Sequence, residues 1–231
     1  MGFNKTGVIL IFGCAAIVTG CANKDQSKNQ TNYDQLYFDY TVTAEEDGEN
    51  VTCMFQYKEA DAEGVAMNIA PAKVELDGMP VESDSAGLSG FFYEIQRPVD
   101  SFAGRHSIVF ITPEKQYKNE FQFFPFTLQE EIPEKISRKA FTIQLKNFPQ
   151  SERSMRLLLL DTAFKSSGFN DLVPVVNGKV TIDEFILKNV KNGPINLELY
   201  LEQEIPLKQT TKAGGKISIT YGLKREFELV D

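Results

Sequence analysis

Apolar and polar residues alternate along most of the chain beyond residue 33, and a period of two predicts strands rather than helices. Leu36, Phe38, Tyr40 and Val42 alternate with Tyr37, Asp39 and Thr41, and Val51, Cys53, Phe55 and Tyr57 resume the pattern after an acidic loop containing Asp47-Gly48. Two such runs joined through Asp-Gly predict a hairpin. Lys73-Val74-Glu75-Leu76 enters a second Asp-Gly pair at Asp77-Gly78. Phe91 to Ile95 is followed by the breaker Pro98, and Ser107 to Ile111 leads through a short turn to Tyr117 to Phe123. Strands at this spacing, without a long helical pattern, predict a β-sandwich.

Pro125, Glu130-Glu131 and Pro133 interrupt the alternation and predict a boundary between residues 33–127 and 134–231. Beyond it, Ala140 to Leu145 reads as a strand. Met155 to Leu160, apolar except for Arg156, reads as a central strand, and Val175-Val176-Asn177-Gly178-Lys179-Val180 as a hairpin. Asp183 to Lys188 predicts one or two helical turns capped by Asp183 or Thr181. Ile195, Leu197, Leu199 and Leu201 alternate with polar residues, and a last pair of strands is expected at Lys216 to Tyr221 and Arg225 to Val230. The fold class expected is all-β, with two sandwiches in tandem.

The first 21 residues differ from the rest. Lys5 is their only charge, and Val8 to Val18 is an apolar run broken only by Gly13. Such a run is about half of the roughly 20 residues that a spanning helix needs, and it reads as a signal-peptide core. Val18-Thr19-Gly20-Cys21 directly behind it resembles the lipobox of bacterial lipoproteins. The resemblance implies cleavage after residue 20, a diacylglyceryl group on the Cys21 thiol and acylation of the freed amine. The expected partner of Cys21 is therefore a lipid bilayer, held stably because more than one acyl chain inserts. Ala22, rather than aspartate, follows the cysteine and favours the outer membrane; Lys24-Asp25 lies where some lineages read a surface-export signal. Residues 21–32 then carry the lipidated cysteine and a tether without large apolar residues, which spans at most about 40 Å.

The segment Gly104-x-His106-x-Ile108-x-Phe110, followed by Tyr117, Phe121 and Phe123, is similar to the last two strands of immunoglobulin-like domains in bacterial envelope proteins. That likeness implies an architecture and carries no active residue. The antibody-type cysteine pair and tryptophan are absent.

Charge divides unevenly. Residues 33–127 hold 17 acidic and 6 basic side chains, a balance of −11, while residues 128–231 hold 14 and 15, a balance of +1. Nucleic acid and anionic lipid are thereby disfavoured as partners of the first half. Glu45, Glu46 and Glu49 are candidates for a surface facing a basic partner, with solubility as the alternative. Of the three cysteines, Cys14 leaves with the signal peptide and Cys21 is lipidated, so Cys53 has no partner for a disulfide in the mature chain and is expected in the core.

Catalytic chemistry finds little to work with. His106 is the single histidine, which excludes a zinc site built from several histidines, and no phosphate-binding glycine loop is present. Glu45, Glu46, Asp47, Asp77, Glu82 and Asp84 could supply paired carboxylates for glycoside hydrolysis or loose calcium ligation, but all fall near predicted turns. Phe92 reads as an exposed contact or as packing between sheets, and Phe169 as a loop-tip aromatic or as an anchor. No cofactor and no metal site is expected. The reading these residues support is a non-catalytic module that binds or scaffolds another envelope component, protein or glycan, ahead of a carboxylate-dependent hydrolase.

Overall fold

The computed structural model describes residues 32–86, 90–163 and 165–231. The signal segment, Cys21 and the rest of the tether lie outside them. The described residues are all-β apart from two 3-10 turns and one short helix.

Eight strands arise from the first half: β1 (Leu36–Glu45), β2 (Asn50–Glu59), β3 (Lys73–Leu76), β4 (Met79–Pro80), β5 (Ser83–Ala86), β6 (Gly90–Pro98), β7 (Gly104–Ile111) and β8 (Gln116–Phe123). β1 and β2 form the expected hairpin, Leu36 opposite Glu59 and Thr43 opposite Thr52. Their alternate residues are buried, Phe38, Tyr40 and Val42 on one strand and Val51, Cys53, Phe55 and Tyr57 on the other. One sheet runs β5-β6-β2-β1 and a second runs β4-β3-β7-β8. Rings from the two interlock: Phe38 meets Phe110 edge-on at 5.1 Å and Tyr117 at 5.4 Å, while Tyr57 stacks on Phe110 at 4.4 Å. Each such pair adds about 0.5–1.5 kcal/mol to ordinary burial, so a sandwich with no disulfide is held by aromatic packing.

The second half contributes β9 (Thr127–Leu128), β10 (Lys135–Ser137), β11 (Phe141–Lys146), β12 (Ser154–Asp161), β13 (Phe169–Val176), β14 (Lys179–Ile182), β15 (Gly193–Pro206) and β16 (Gly215–Val230). β12 lies between β15 and β13, the central place that its apolar run predicts. Asn177 and Gly178 join β13 to β14 with φ of +54° and +71°, the positive pair that selects Asn-Gly in a tight hairpin. The helix α1 spans Glu184–Leu187, and Asp183 rather than Thr181 caps it, accepting from the Ile186 N–H at 2.8 Å.

The C-terminal hairpin differs from expectation. β16 is one unbroken strand of 16 residues rather than two, because Gly222 keeps an extended backbone and no turn residues accompany it. It pairs along its length with the 14-residue β15. Both strands are more than twice the usual length, and both halves use them. The first part of β16 lies parallel to β1, from Phe38 opposite Gly215 to Glu45 opposite Gly222. Its far end takes up β10. Ile217, Ile219 and Tyr221 enter the first core, where the Tyr221 ring lies 5.7 Å from Phe123 and 5.2 Å from Phe126. The connection between β15 and β16 docks on β8: buried Asn119 accepts from the Lys208 and Gln209 N–H groups and donates to the Gln209 carbonyl.

Twelve strands thus share one sheet, and residues 32–231 form a single compact unit. Residues 33–127 do not contain all the strands of their own sandwich. The prolines near residue 130 divide the sequence but not the sheet.

Candidate functional site

The acidic turn between β1 and β2 is engaged with the chain's own basic residues. Glu45 accepts from Lys224 Nζ at 2.9 and 3.1 Å. Glu46 accepts from Arg225 Nη1 at 2.6 Å, and Arg225 grips Glu131 with its other nitrogens at 2.7 and 3.1 Å. Arg225 and Glu46 are largely buried. Arg225 holds the Glu131 carboxyl below its usual range, and the two carboxylates raise the guanidinium further, Glu131 most. Glu46 and Arg225 therefore clamp the first half to β16. Glu49 and Asp47 remain exposed beside them.

The aromatic candidates are divided. Phe169 opens β13 opposite Leu159 and packs partly buried against the core, the position of an anchor rather than a loop tip. Phe92 is partly buried on β6, while its neighbour Phe91 is more exposed.

The groups considered for chemistry are tied down by structure. His106 stacks on Phe102 at 3.8 Å, with Nδ1 2.7 Å from Asp77 Oδ2 and Nε2 2.7 Å from the Phe102 carbonyl. Asp77 also accepts from the Ser107 N–H at 2.8 Å, fastening its turn to β7. Cys53 is fully buried, and burial pushes its thiol up to about 12, the behaviour of a core thiol rather than a nucleophile. Glu82 and Asp84 stand exposed at the strand edge. Among the described residues no three His, Cys, Asp or Glu side chains are placed to hold a metal ion.

A groove of about 850 Å³ opens in the second half between the 147–153 loop and the β13–β14 hairpin. Its walls are fixed: Phe148 packs edge-on against Phe126 at 5.7 Å, the Arg153 carbonyl accepts from the Val175 N–H at 2.8 Å, and Glu152 accepts from Gln203 at 2.7 Å. Gln144, Asn147, Gln150 and Asn177 line it with carboxamides, and Pro174 and the exposed Val176 with apolar surface. None of these residues carries a site motif in the sequence. The Asn-Gly turn is the only one of its parts visible as a local signal.

No protein-family profile matches the chain, and no curated protein matches it. Solved structures align over most of its length. The tandem Ig1 and Ig2 domains of DIP-gamma match at 8% identity over 84% of this chain and 95% of that one, with a TM-score of 0.24. A pair of tandem titin Ig domains matches at 8% identity over 85% and 96%, TM-score 0.25. A bacterial ice-binding adhesin matches at 10% identity over 85% and 65%, TM-score 0.23. At scores this low the fold assignment rests on the chain's own strands and registers.

Proposed function

We propose that the protein is a lipid-anchored component of the bacterial envelope, held in the outer membrane through acylated Cys21, that binds another envelope protein without catalysing a reaction. The groove beside the β13–β14 hairpin carries this reading: an open, pre-formed cleft whose carboxamides suit the peptide groups of an extended chain. Among the charged side chains that line it, Glu152 and Arg153 oppose one another in sign, so it suits an uncharged polar segment. A non-catalytic role is supported by the buried Cys53 thiol and the fully engaged His106 ring.

The test is photo-cross-linking in the native envelope from Gln150 and Val176, with exposed Asp100 as a control. One discrete adduct from both groove positions and none from the control is expected. Adducts that are equal at all three positions, or absent from the groove, would refute the assignment.

A further inference from the structure

On the outer face of the shared sheet, Tyr200 of β15 stands opposite Gly222 of β16. Its ring rests on the glycine, since a methyl group added at residue 222 would come within 2.5 Å of a ring carbon. Its hydroxyl donates to Glu198, two residues back on the same face. The ring is therefore seated from below and held at its tip.

Beside it lies a shallow depression of about 400 Å³ bordered by Thr43, Thr52, Thr220 and Asn50. The three threonines form one row, because Thr43 pairs with Thr52 on one side and Thr220 on the other. At a strand spacing of about 4.8 Å, their hydroxyls span about 10 Å. Glu45 is the one charged side chain among its lining residues, and Lys224 pairs with it, while Glu198 stands next to it at the Tyr200 hydroxyl.

An aromatic ring over a glycine is also a common way to stabilise a sheet. That role alone does not call for an uncharged floor. Ion pairs cover this outer face on either side, Arg156, opposite Tyr200 on β12, with Glu202, Lys216 with Glu204 and Lys58 with Asp39; the row from Thr220 through Thr43 to Thr52, with Asn50, offers hydroxyls and a carboxamide instead.

We propose that this depression is a saccharide subsite. The Tyr200 ring meets the C–H face of a neutral pyranose, and the threonine hydroxyls and Asn50 bond its hydroxyl groups. An anionic sugar would meet the carboxylates of Glu45 and Glu198. The site is separate from the groove, and either assignment stands if the other fails.

The test uses the mature protein in detergent on an array of neutral oligosaccharides, including N-acetylglucosamine and glucose trimers. Retention of at least one neutral sugar is expected, with Tyr200→Ala reducing it tenfold or more and Thr43→Val several-fold. Since Tyr200→Ala could loosen the sheet, threonine and valine methyl shifts of the unmodified protein are followed on adding the retained sugar. Shifts at Thr43, Thr52 and Thr220 support the proposal. An array that retains no neutral sugar overturns it, as does retention indifferent to both substitutions. Shifts confined to Val175 and Val176 overturn it too and assign the sugar to the groove.

Discussion

Replacing Tyr221 by alanine should destabilise both halves of the protein together. Tyr221 is 3% exposed, fills the first core between Phe123 and Phe126, and stands on the strand that the second half also uses. Truncating a buried aromatic to alanine costs about 3–5 kcal/mol, a large share of the roughly 5–15 kcal/mol by which domains are stable. With a urea slope of about 3 kcal/mol per molar, the midpoint should fall by about 1 to 1.7 M. Two local probes separate the halves: thiol labelling of buried Cys53 reports on the first, and hydrogen exchange of the β12 amides of Leu157 and Leu159 on the second. Both should move to the lower midpoint in one transition. If Cys53 becomes reactive at a urea concentration where β12 stays protected, the halves are independent and the shared hairpin does not couple them.

A fragment comprising residues 33–127 should show no cooperative unfolding, since it lacks β16 and leaves the β1 edge unpaired; circular dichroism on heating checks this. Cys21→Ser should leave an uncleaved precursor without acyl label, whereas an unmodified Cys21 in a mature, membrane-bound protein, seen by mass spectrometry, would overturn the lipobox reading. Glu46→Lys should lower stability by placing a lysine against Arg225, while Glu49→Lys at an exposed position should change it by less than about 0.5 kcal/mol, both read from urea midpoints. Asp161 accepts from the Lys165 and Ser166 N–H groups, and the Lys165 bond above all lowers its pKa. Its contribution is therefore full above the unfolded carboxyl pKa and is lost as pH falls through the lower folded value; Asp161→Asn should flatten the acid limb of the stability profile below about pH 4.

The charge asymmetry has an internal partner. Glu45 and Glu46, counted as part of a −11 surface, end on Lys224 and Arg225 of β16. Their reversal would disturb the fold before it slowed any association, so a test of electrostatic steering belongs to exposed Glu49 and Asp47. An association rate that falls with salt and with lysine at those two positions would assign the free acidity to partner capture.

What the sequence made legible follows from the range of each signal. Period-two alternation is local, and it placed the buried faces of β1, β2 and β15 correctly, as Asp77-Gly78 and Asn177-Gly178 placed their turns. Asp183 announced its helix cap because the capping bond closes within three residues. The parallel register of β1 with β16 brings together residues nearly 180 positions apart, and alternation says which side of a strand is buried but not what lies beside it. The same limit hid both candidate sites. The groove joins a loop at residues 147–153 to a hairpin at 174–178, and the saccharide depression joins Thr43, Thr52, Tyr200 and Thr220 only once β1 and β15 flank β16. Gly222, which falls in the gap between the two strands expected at Lys216 to Tyr221 and Arg225 to Val230, lies inside one long strand and is the seat of the Tyr200 ring.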